Sequence, residues 1–238
     1  MKTLSAAVIL LAVFLMWPRP ADPLPGFPRV FVWAWERPEN LEFLDPNSTG
    51  IAFLARTVCL RGGAVSVRPR LNPLRYSPGA VLMAVVRVEP QDAALPPVAD
   101  TSAAIAEAAA IPGVRALQVD FDATRSQRVF YRALLEDLRA HVPRSTPISI
   151  TALTSWCESD GWIAGLPVAE AVPMLFRMGR GERPARSFRP ALCQSSAGVS
   201  IDEPLHEPPA APRLYLFNPH PWTRTTFQAA LHEARKWH

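Results

Sequence analysis

Gln118, Asp120 and Asp122 stand two residues apart at the end of an apolar run, Val114–Phe121. Alternate residues of a strand share a face, so these three point one way and Leu117, Val119 and Phe121 the other. Like charges held close together raise a carboxyl pKa. Paired carboxylates with separated pKa values perform acid–base chemistry and cleave glycosidic bonds. The plainer alternative has Asp122 capping the next helix and Asp120 paired with an arginine.

The elements around this pair follow from local pattern. Thr124 and Gln127 have capping-box spacing, and Phe130, Leu134 and Leu138 repeat at helical period until Pro143 stops the run. A second strand follows at Pro147–Thr154. Strand, helix and strand make a βαβ unit, which implies a parallel sheet with a right-handed crossover. Further strand-like runs lie at Arg29–Trp35, Ile51–Leu60, Ala80–Val88, Ala171–Phe176, Gly198–Ile201 and Arg213–Phe217, with Ala64–Arg68 as a hairpin addition. Helical patterns also occupy Ala99–Ala110 and Thr223–Lys236. The fold class is therefore α/β, and the expected architecture is an abbreviated, irregular (β/α)8 TIM-like barrel. The segments Gly179–Pro190 and Asp202–Pro212, rich in Pro, Gly and Arg, show no helical pattern.

Composition fits a folded domain: 49% of the 238 residues are hydrophobic and 19% charged, with a net charge of +4. No basic run interleaves with aromatics, which argues against nucleic acid as a partner. An apolar run from Leu4 to Trp17 follows Lys2. Its length suits a signal peptide, yet no clean cleavage site follows, so an uncleaved membrane anchor is the alternative. Residues 1–25 are read as that segment and 26–238 as the barrel domain. A periplasmic or exported location follows, with association to the inner membrane if the segment stays attached. In such a compartment two of Cys59, Cys157 and Cys193 could bridge. Cys157 and Cys193 follow neighbouring strands, whereas Cys59 sits in an apolar run and suits a buried thiol. Nothing in the cysteine spacing suggests a zinc site, and no cofactor is implied.

Barrel sites form at the C-terminal ends of strands. Those ends supply Glu36 and Trp35 after the first strand, Asp120 and Asp122 after the fourth, and Trp156 after the fifth. They supply Arg177 after the sixth, Asp202 and Glu203 after the seventh, and Asn218 and His220 after the eighth. Tryptophan faces stack on sugar rings while carboxylates cleave between them. A sugar site would use Asp122 as nucleophile or charge stabiliser, Asp120 to tune it, and Glu36 or Glu203 as acid. Trp35 and Trp156 would be ring platforms, and Arg177 would hold a hydroxyl or carboxylate. Asp202, Asn218 and His220 would complete the substrate contacts, His220 more as a structural or contact residue than as a metal ligand. The partner would be a carbohydrate, as substrate or as ligand.

Four segments carry a resemblance to a known family: Val32–Pro38, Gln118–Gln127, Ile150–Cys157 and Val172–Gly179. Over roughly residues 28–222 the chain resembles a bacterial family catalogued as domain of unknown function 3142. The resemblance implies a glycosidase-like TIM barrel and no established activity. More distantly, Asp120-Phe-Asp122-Ala-Thr124 is similar to the Asp-x-Asp-x-Glu strand end of chitinase-type barrels. Thr124 replaces the general-acid Glu, so the resemblance does not carry chitinase chemistry with it. The function expected is that of an exported glycoside hydrolase-like protein. Its alternatives are a non-catalytic envelope carbohydrate-binding protein or a membrane-anchored interaction protein with a degenerate site.

Overall fold

Eight parallel strands close on themselves in the computed structural model, which describes residues 22–178, 187–204 and 213–235. In chain order the strands are β1 (Val30–Ala34), β2 (Glu39–Asn40), β3 (Thr49–Arg61), β4 (Ala64–Pro69), β5 (Leu74–Arg75) and β6 (Leu82–Pro90). There follow β7 (Val114–Asp120), β8 (Ile148–Leu153), β9 (Glu170–Met174), β10 (Ser196–Ser200) and β11 (Arg213–Phe217). The barrel order is β1-β3-β6-β7-β8-β9-β10-β11, and β11 returns to β1. β4 folds back antiparallel on β3, and β2 pairs with β5 as a separate ribbon.

The expectation of a (β/α)8 barrel needs correction. Among the described residues only three α-helices accompany the eight strands: α1 (Val98–Ala106), α2 (Arg128–His141) and α3 (Arg224–Ala234). The barrel is closed, but its outer ring of helices is incomplete. The reason is legible between β3 and β6, where Pro69, Pro73 and Pro78 fall within ten residues. Proline removes the helical donor and clashes with the preceding turn. That connection runs as the hairpin and ribbon instead. Residues 179–186 and 205–212, within the two segments read without a helical pattern, and Lys236 lie outside the described residues.

Where helices do form, their sequence signals hold. Gln127 Oε1 accepts a hydrogen bond from the Thr124 N–H at 2.9 Å, ahead of α2. Leu134, Leu135 and Leu138 are buried against the barrel's outer face. α3 begins at a Thr223–Thr226 cap and packs Phe227 on Trp222 and Phe43.

The barrel interior is filled by side chains, as small barrels require. Phe31, Tyr215 and Trp33 stack at centroid spacings of 5.1 and 5.3 Å. Glycine faces these rings because nothing larger fits. A Cβ at Gly50 would lie 2.3 Å from Phe31, and one at Gly198 would lie 2.5 Å from Trp33. Beneath the rings runs a polar chain. Trp33 Nε1 donates to Gln118 at 2.8 Å, Gln118 to Ser149 at 3.1 Å, and Ser149 to Glu170 at 3.2 Å. Tyr215 also donates to Glu170, and Arg213 approaches that carboxylate at 3.6 Å. Burial pushes the Glu170 carboxyl above its ordinary range, against the pull of Tyr215 and Arg213.

Arg213 also fixes the start of the described chain. It donates to Asp22 at 3.0 Å and to the carbonyls of Leu24 and Pro28. Leu24 is fully buried, so the fold takes in residues ahead of the boundary expected at 25. The apolar run itself, within residues 1–21, lies outside the described residues. Among those described, no helix is long and apolar enough to cross a membrane.

Cys157 and Cys193 form a disulfide with Cα atoms 5.9 Å apart, and Cys59 is a buried free thiol. The bridge spans 36 residues. Loop-closure entropy for that span gives about 4 kcal/mol. Cys193→Ser is therefore expected to lose about 3–4 kcal/mol in urea unfolding. Reductant should bring the native protein down to the variant and leave the variant unchanged.

Candidate functional site at the barrel mouth

A cavity of about 500 Å3 opens at the C-terminal end of the strands. β7 with the residues that follow it contributes Asp120 and Asp122, β8 contributes Thr151 and Leu153, and β1 with its following turn contributes Trp33 and Trp35. Phe176, Arg177 and Phe217 form the opposite wall. A second hollow of about 330 Å3 adjoins it and shares Arg87, Asp120 and Asp122.

Strand alternation puts the two aspartates here. Gln118 is buried in the barrel, Asp120 sits above it, and Asp122 follows at the rim. Asp120 is 8% exposed and accepts a hydrogen bond from Thr151 Oγ1 at 2.7 Å. Burial raises its pKa to about 6, with the Asp122 and Glu89 charges adding to the rise. The Thr151 hydrogen bond and Arg87 oppose it. Asp122 is solvent-exposed, yet the surrounding protein still raises its pKa, against the pull of Arg87. Among the described residues Asp122 accepts no hydrogen bond, and the cap of the following helix is formed by Thr124 and Gln127 instead.

Arg87 is the cation of the acidic wall. It is paired with Glu89 at 2.9 Å and lies 5.8 Å over the Trp35 ring. Trp35 in turn meets Phe217 edge-on at 6.2 Å, and Phe217 stacks on Phe176 at 5.6 Å. Arg70 fixes the turn carrying Trp35, donating to the carbonyls of Ala34, Trp35 and Arg37. The result is a cup with aromatic walls and one strongly perturbed acid.

Several residues expected at the mouth are elsewhere. Trp156 is 2% exposed and packs against Trp162 and Tyr131 in the outer core. It is therefore no ring platform. Glu36 lies off the cavity lining and faces Arg68 at 4.0 Å. Glu203 spends both carboxylate oxygens on the Arg177 N–H, at 3.1 and 3.2 Å. Asp202 is exposed and accepts from Ser200. Asn218 is buried in a latch: its Oδ1 accepts from the His220 N–H at 2.9 Å, and its carbonyl accepts from Arg37. Arg37 is held by Glu39 at 2.7 Å, and Glu39 accepts from the Trp222 N–H at 2.9 Å. His220 is exposed beyond that latch. Neither Asn218 nor His220 lines the cavity.

Trp35, Asp120, Asp122 and Arg177 are thus brought together, and the sequence pointed to all four. Arg87, Thr151, Trp33, Phe176 and Phe217 join them without having been singled out. Among the described residues no cluster of three or more His, Cys, Asp or Glu is arranged to hold a metal. Set against known proteins, the chain matches no family model, no curated protein and no solved structure.

Proposed function

We propose that the protein takes a sugar ring into the barrel mouth and hydrolyses the glycosidic bond beside it, using Asp120 and Asp122. One observation carries this reading. A buried carboxyl with pKa near 6 lines an aromatic-walled cavity together with a second carboxyl two residues on. A proton donor for a leaving oxygen needs a raised pKa, and its partner needs to remain ionised. Asp120 gives its proton to the glycosidic oxygen as the C–O bond breaks. The Asp122 carboxylate faces the positive charge that develops on the anomeric carbon. Water then adds its hydroxyl to that carbon and returns a proton to Asp120. The roles differ from those expected, because Glu36 and Glu203 are engaged outside the cavity. Phe217, Trp35 and Phe176 offer the apolar faces that sugar rings stack on.

The motifs resembling domain of unknown function 3142 enter this proposal on their own weight, since no family model matches. An N-terminal signal peptide or membrane anchor, expected over residues 1–25, belongs to the same reading. The aromatic cup alone would serve a carbohydrate-binding protein without catalysis, so turnover decides between the two.

A panel of chromogenic glycosides and oligosaccharides, assayed from pH 4 to 8, tests the proposal. Hydrolysis is expected, with kcat/KM falling about tenfold per pH unit above about pH 6, as Asp120 gives up its proton. Binding without hydrolysis at any pH would leave the binding protein. Neither binding nor hydrolysis would remove carbohydrate as the partner.

A further inference from the structure

Arg177 has φ of 54°, the one positive φ among described residues other than glycine. A side chain held in that region strains the backbone, and such residues persist where the surroundings impose them. Here Glu203, beyond β10, imposes it by accepting the Arg177 N–H with both oxygens. The guanidinium lines the cavity and lies 5.7 Å over the Phe217 ring. Among the described residues no carboxylate forms an ion pair with it. The other arginine of the mouth, Arg87, is matched by Glu89 and faces Asp120 and Asp122.

The cavity is therefore polarised. Its acids lie at and just beyond the end of β7, and the cation that has no ion pair among the described residues follows β9, with β8 between them. Two strand spacings, roughly 9–10 Å, separate the β7 and β9 backbones that carry them. A neutral sugar offers this guanidinium only single hydroxyls. A carboxylate or sulfate accepts two parallel hydrogen bonds from the planar fork. We infer that the ligand is an anionic glycan, with its carboxylate or sulfate on Arg177 and the neighbouring sugar linkage at Asp120 and Asp122. This inference rests on the carbohydrate reading above and adds the class of sugar.

The full chain, displayed against matched neutral, uronic-acid and sulfated oligosaccharides, tests it. Acidic members should bind at least about tenfold tighter than their neutral counterparts, as a charged hydrogen-bond pair would give. The uronate and sulfate sets show which anion is used. Arg177→Asn should erase the preference while leaving the melting temperature unchanged, since asparagine tolerates a positive φ. Arg177→Gly, freer still in that region, repeats the test with a second backbone-compatible residue. Equal binding of neutral and acidic sets overturns the inference and keeps the carbohydrate reading. So does an acid preference that survives in both variants. Binding of no glycan at all overturns both.

Discussion

Asp122→Asn is expected to leave the fold and its melting temperature in place and to lower turnover by roughly two to four orders of magnitude. The structure narrows what this residue can be doing. A helix cap at this position would tolerate asparagine, but the cap is already supplied by Thr124 and Gln127. A buried ion-pair partner would cost several kcal/mol on neutralisation, about 3–5. Asp122 is exposed, and among the described residues no ion pair within 4 Å holds it. Removing its charge should move stability by no more than about 0.5 kcal/mol, as for surface positions. What remains is a carboxylate facing the cavity beside Asp120. Ligand binding should survive the substitution, since asparagine keeps the shape. Thermal melting, glycan binding and turnover on this one variant separate the roles. Full turnover would take Asp122 out of the site, and a large fall in melting temperature would make it a folding group.

The strands of this barrel are legible in the sequence because they are buried on both faces. β3 and β6 read as continuous apolar runs, and β7 reads as an apolar run with polar residues in alternation. The phase of that alternation placed Gln118, Asp120 and Asp122 on the inward face, and the cavity confirms the phase for both aspartates. Past a strand's last residue the phase holds only where the chain stays extended, as it does for Asp122 two residues beyond β7. Trp156 stands three residues beyond the end of β8, where the chain has turned into a short π-helix, and its ring falls outside the barrel. Glu36 stands two beyond the end of β1 and is drawn to Arg68 on the hairpin. Neither destination has a local signal, since both depend on partners far away in sequence.

Arg87 was missed for the opposite reason. Attention to strand ends overlooks a strand that continues past the mouth. β6 runs to Pro90, and its Arg87 is in register with Asp120. A lone arginine inside an apolar run, on the face shared with Met83 and Val85, was the available signal. Thr151 has the same history: it lies within β8, one strand over from Asp120, and only the barrel's register makes it that carboxyl's donor. The absence of a helix between β3 and β6 has a signal too, in Pro69, Pro73 and Pro78.

Asp120→Asn is expected to make the protein more stable at neutral pH and inactive at every pH. Its carboxyl has a pKa of about 6 in the fold, against an ordinary 3.8, and burial is the largest cause. Below about pH 4 both folded and unfolded chains carry the proton, and the group has no effect on stability. Between about pH 4 and pH 6 the unfolded chain ionises while the folded chain still holds its proton, so stability falls as pH rises. Above about 6 the loss is complete and constant. Two pKa units correspond to about 3 kcal/mol. Asparagine cannot ionise, still accepts from Thr151, and turns its amide toward the water of the cavity. The variant should match the native protein at pH 4 and exceed it by up to about 3 kcal/mol at pH 7.5. For a domain of this size that is a rise of roughly 6–12 °C in melting temperature. Glu170, also raised by burial, adds its own slope to both proteins, so the difference between the two curves isolates Asp120. Such a cost to folding, once measured, would fit a residue that serves the mouth and not the fold. A difference curve that stays flat from pH 4 to 7.5 would show that Asp120 ionises without strain and cannot be the proton donor.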